Sequence, residues 1–111
     1  MRPISIRMLP DTATYRPVAS FDENGVATFG TDVALTRVRV EAIKKQRNAD
    51  LGEQSEDKFL LMFDTTNSRP TGQGFTKNDR IVFDSVELTI RQVEKLTDKP
   101  SHVHHYEVYL T

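Results

Sequence analysis

Cysteine is absent from all 111 residues. Disulfides and thiolate metal sites therefore contribute nothing to the fold, and the chain suits a reducing compartment. Charge of one sign is lacking too: 15 Lys and Arg stand against 16 Asp and Glu, a formal net charge of −1. A dedicated nucleic-acid binder would carry a clear basic excess. Near-neutrality instead leaves little charge to hold copies apart, which favours self-assembly. Long apolar runs are missing. The longest, Phe59-Leu60-Leu61-Met62-Phe63, falls far short of a membrane span, and Met1 to Pro10 holds no apolar stretch of signal-peptide length. The expectation is a protein made in the cytosol and soluble there, with no membrane contact. No strong amphipathic helix, internal repeat or domain linker is visible, and the length suits one compact domain.

What is present is strand signal. Thr12 to Arg16 is short and β-prone; Pro17 cannot donate to a ladder, which reads as an edge strand ending there. Asp22-Glu23-Asn24-Gly25 is a turn that joins Pro17–Asp22 to Val26–Phe29 as a hairpin. Val33 to Ile43 is the longest candidate, with Val38, Val40 and Ala42 alternating against Arg37, Arg39 and Glu41. Leu35 falls on the charged parity, so a bulge or bend is expected near Thr36. Phe59 to Phe63 is apolar on both faces and reads as a buried central strand. Lys77-Asn78-Asp79 turns into Arg80–Phe83, and Asp84-Ser85 turns into Val86–Arg91, where Val86, Leu88 and Ile90 share a face that Val93 and Leu96 extend. Thr97 to Ser101 reads as a polar connection. The last strand, His105 to Leu110, points Tyr106, Val108 and Leu110 inward. Six to seven short strands at regular spacing predict a single all-β domain, a small antiparallel β-barrel with long polar loops.

Two loops stand out. Lys44 to Asp57 has no usable apolar periodicity and sets Lys44, Lys45 and Arg47 against Asp50, Glu53, Glu56 and Asp57. Thr65 to Gly74 is rich in Thr, Asn, Ser, Pro and Gly. Loops of such length in compact domains are functional or disordered. Both are expected to order against neighbouring molecules, the first through Lys44, Lys45, Arg47, Asp50, Glu53 and Glu56 as a channel or partner contact, the second through Asp64, Asn67 and Arg69.

Chemistry-bearing constellations are weak. Leu61 to Ser68 carries Asp64-Thr65-Thr66, superficially like an aspartic-protease loop. Such enzymes need two loops whose carboxylates share a proton, and Thr66 replaces the glycine that allows their approach. An Asx-type turn built by Asp64 and Asn67 is the better reading. Alternation would bring His102 and His104 to one face, within reach of one metal ion, but no carboxylate or thiolate has familiar ligand spacing. Thr71-Gly72-Gln73-Gly74 lacks the Lys-Ser/Thr ending of a phosphate loop. Arg37 and Arg39, with Lys44, Lys45 and Arg47 beyond, could touch DNA phosphates or an acidic partner, although a solvated strand face explains them as well. No catalytic residue, cofactor site or metal site is assigned.

Several phrases, in order along the chain, resemble a phage family of minor capsid proteins, small head–tail connector components of siphophages and prophages. They are Pro3 to Pro10, Thr12 to Tyr15, Phe63-Asp64-Thr65-Thr66-Asn67-Ser68-Arg69-Pro70, Asp79 to Phe83 leading to Leu88-Thr89-Ile90, and His104-His105-Tyr106-Glu107-Val108. The Asp-Thr-Thr-Asn-Ser phrase and the His-His-Tyr-Glu ending are the most specific. Lys44 to Asp57 departs from any pattern. The resemblance implies a structural protein of the virion neck and not an enzyme: a head-completion or stopper ring subunit, made in the bacterial host cytoplasm, with no catalytic residues to carry over. Its implied partners are copies of itself in a ring matching the portal symmetry, the portal or adaptor protein, a tail-completion protein and, non-specifically, packaged DNA. The rivals are a tail terminator or tail-proximal joining protein and, more distantly, a small metal-binding β module.

Overall fold

The computed structural model describes residues 2–43 and 58–111. Its strands are β1 (Asp11–Arg16), β2 (Val18–Phe21), β3 (Ala27–Phe29), β4 (Val33–Ala42), β5 (Phe59–Asp64), β6 (Arg80–Phe83), β7 (Val86–Lys99) and β8 (His102–Leu110). A 3-10 turn at Ile6–Met8 precedes them. Six strands close into an antiparallel barrel in the order β1-β4-β5-β8-β7-β6, and β6 returns to β1. The other two, β2 and β3, form a separate hairpin. The small antiparallel barrel expected from the alternating pattern is the fold observed.

Alternation explains the closure. Leu35, Val38, Leu61, Phe63, Ile81, Ile90, Val108 and Leu110 all point inward and are essentially inaccessible. Each such side chain contributes about 1.5–3 kcal/mol by leaving water. Phe75, from the loop before β6, closes the aromatic layer of this core. Its ring meets Phe63 at 5.4 Å, Tyr15 at 5.5 Å and Tyr106 at 5.6 Å, all edge-on, the arrangement that ring quadrupoles favour.

The odd parity of Leu35 has a local cause. Asp11 stands opposite Val38 and Thr12 opposite Thr36, so Arg37 is one residue too many on β4. Its φ of 55° marks a bulge that lets Leu35 and Val38 both face the core. Three expectations need correction. β1 is not an edge strand, because it pairs with β4 on one side and β6 on the other. Pro17 marks instead where the chain leaves the barrel for β2. Residues 97–99 are not a connection: β7 runs to Lys99 and β8 starts at His102, three residues before the expected His105, around a turn at Pro100-Ser101. Val86 does not share the buried face of Leu88 and Ile90, being 52% exposed beside the Asp84-Ser85 turn. Both turn residues have positive φ, as a tight two-residue hairpin requires.

Candidate functional site

The connection between β1 and β4 leaves the barrel as the β2–β3 hairpin. The tip is set by Asp22, whose Oδ1 accepts from the Asn24 and Val26 amides at 2.9 and 2.8 Å, while Gly25 takes a φ of 79°. Phe21 and Val26 flank this turn at 59% and 60% exposure, large apolar surfaces left in water. The base is held rigidly. Asp79, only 7% exposed, accepts from the Tyr15 hydroxyl through Oδ2 and from the Val18 amide through Oδ1 at 2.9 Å. The guanidinium groups of Arg16 and Arg80 lie 5.6 and 5.7 Å from the centre of the Phe29 ring, and Arg16 also pairs with Asp32 at 3.2 Å.

Burial, then the hydrogen bond and negative charge of Asp79, push the Tyr15 hydroxyl up from 10.0 to about 12. Folding thus favours the neutral phenol. Its contribution is complete below pH 10 and is lost as pH rises through about 12. Chemical denaturation between pH 9 and about 12 should show a steeper alkaline loss of stability for the parent than for Tyr15→Phe. Identical alkaline limbs would refute this coupling.

A second cluster sits where β5 ends. Asp64 is fully buried. Its Oδ2 accepts from the Thr66 and Asn67 amides at 3.2 and 2.8 Å, the Asx-type turn expected from the sequence. Its Oδ1 accepts from the Ile4 amide at 3.1 Å, and the Asn67 side chain donates to the Ile4 carbonyl at 2.7 Å. Ser68, also fully buried, donates its hydroxyl to the carbonyl of the bulge residue Arg37 and accepts from the Asp64 amide at 2.9 Å. Arg69 exchanges two 3.0 Å backbone bonds with Thr36. Residues 64–69 are therefore fixed by their own chain, where the sequence suggested a loop awaiting a neighbour. Of Asp64, Asn67 and Arg69, only Arg69 has an exposed side chain.

The histidines hold structure together. His104 is 6% exposed and its Nε2 lies 2.6 Å from the Arg2 carbonyl, so that nitrogen carries the proton. Its Nδ1 is 2.8 Å from Nδ1 of His105, which donates to it when His104 is neutral. His102 instead pairs with Asp98 at 2.5 Å, and that hydrogen bond holds the Asp98 carboxyl below its ordinary range. Among the described residues, no group of three or more His, Cys, Asp or Glu is placed to hold a metal ion. Arg37 is exposed in the bulge, whereas Arg39 is bound to Glu41 on the same strand. Lys44, Lys45, Arg47, Asp50, Glu53 and Glu56 lie outside the described residues.

Among the described residues, the buried polar side chains hold the barrel together, and the hairpin tip leaves Phe21 and Val26 exposed. The family model described as minor capsid protein matches residues 5–110. The chain belongs to this family. As a minor capsid protein it is a phage structural protein, a component of the virion, and the resemblance seen in its phrases is a true one. No curated protein matches the chain. The matched span of this minor capsid protein contains the hairpin, the Asp64 cluster and the Asp79 latch. Sequence reasoning missed the exposed pair Phe21 and Val26, although their position on either side of a four-residue turn was a usable signal.

Proposed function

We propose that the protein is a head-completion subunit of the phage neck. Copies of it form a ring below the portal and its adaptor, close the channel, retain packaged DNA and offer a docking surface to the tail. The observation that carries this reading is the division of labour in the chain. The barrel is complete in itself, while the connection between β1 and β4 projects from it as the hairpin with Phe21 and Val26 exposed. A ring subunit needs such a body with projecting contacts. Arg69 and Arg37 are further candidates for neighbours, and the charged 44–57 stretch, on sequence alone, for the channel.

Particles assembled without this protein provide the test. Negative-stain microscopy should show tailless heads that have lost their DNA. Full heads bearing overlong tails would overturn the proposal in favour of a tail terminator.

A further inference from the structure

The hairpin tip and a groove elsewhere on the same barrel are chemical opposites. At the tip, the carboxylates of Asp22 and Glu23 sit between the exposed apolar side chains of Phe21 and Val26. A shallow groove of about 540 Å³ opens between residues 75–77 and 91–93, lined by Phe75, Thr76, Lys77, Arg91, Gln92 and Val93. Its cations, Lys77 and Arg91, are exposed, and its apolar members, Phe75 and Val93, are half-buried.

We infer that the hairpin tip of one copy docks into the 75–77/91–93 groove of a second copy of this chain. Glu23 and Asp22 approach Lys77 and Arg91, and Phe21 and Val26 lie along Phe75 and Val93. The two surfaces are complementary in charge and polarity and belong to one sequence, which singles out another copy as the occupant. The net charge of −1 sets no general repulsion against this pairing. The tip is held by the Asp22 turn and the base by Asp79, so docking orders little that is not already ordered. Two different surfaces meeting in this way make a head-to-tail contact, which closes into a ring when the rotation between copies allows. The inference rests on the proposed ring only in requiring that copies be neighbours.

The absence of cysteine makes the contact directly testable. The double variant Glu23→Cys/Lys77→Cys, oxidised at high protein concentration, should give dimers, trimers and longer species on a non-reducing gel. Each single variant should give dimers at most. The charge contribution is tested separately by light scattering. There, Glu23→Lys should weaken self-association of the parent about tenfold, and mixing it with Lys77→Glu/Arg91→Glu should restore pairing. All these side chains are exposed, so the fold is retained. A double variant that stops at dimers like the singles overturns the inference. So does cross-linking in assembled particles that joins position 23 to another virion protein. Neither result touches the head-completion reading, which stands or falls on the DNA content of particles lacking the protein.

Discussion

Asp64→Ala should lower the unfolding free energy by about 4 kcal/mol, because three backbone amides lose a charged acceptor worth about 1.5–3 kcal/mol each and water recovers part of that. Those amides belong to Ile4, Thr66 and Asn67, and the carboxylate they share is fully buried. Against a typical domain stability of about 5–15 kcal/mol, the loss is severe. Urea denaturation measures it. Thr66→Ala, at an exposed position of the same turn, should change stability by only about 0.5 kcal/mol or less. Hydrogen exchange adds a readout of place: the Ile4 and Asn67 amides should lose protection in Asp64→Ala before the barrel strands do. A loss near that of Thr66→Ala would mean that the carboxylate does not organise this end of the barrel.

Asp79→Ala is the second large effect, expected at about 3 kcal/mol, since it removes the carboxylate acceptor of the Tyr15 hydroxyl and of the Val18 amide at about 1–3 kcal/mol each. A double-mutant cycle with Tyr15→Phe isolates the side-chain part. Tyr15→Phe alone should cost about 1–2 kcal/mol, and much less once Asp79 is already gone. Additive losses would show that the two side chains act independently. The Val18 share should appear elsewhere, as faster proteolysis between residues 18 and 29, where the hairpin base has lost its tie to the barrel.

The barrel was legible because alternation is a local property. β5 and β8 could be delimited within a few residues from Phe59–Phe63 and from Tyr106, Val108 and Leu110. Even the bulge left a trace, in the wrong parity of Leu35. Elements that failed were those where a local signal has two physical readings. Pro17 marks an edge strand or the end of pairing, and here it is the latter. The polar run Thr97 to Lys99 suits a loop or a strand with both faces near water, and it pairs with β8. Phe75, in a Gly- and Thr-rich stretch, carries no periodicity, yet it completes the aromatic layer.

The clusters were legible only in their local half. The turn made by Asp64 with Thr66 and Asn67 spans three residues and follows from Asx chemistry. Its hold on Ile4 spans 60 residues, and that of Asp79 on Tyr15 spans 64. Nothing in a single sequence marks such pairs, because each partner is ordinary in its own surroundings. His104 is similar: nothing beside it in the sequence points to its partner, a carbonyl near the other end of the chain.

Every barrel strand has both edges filled by strands of its own chain. Among the described residues, no neighbour has to lend a strand to complete the barrel. A subunit of this kind can enter or leave an assembly as a finished object, with detachment and melting as separate events on separate timescales.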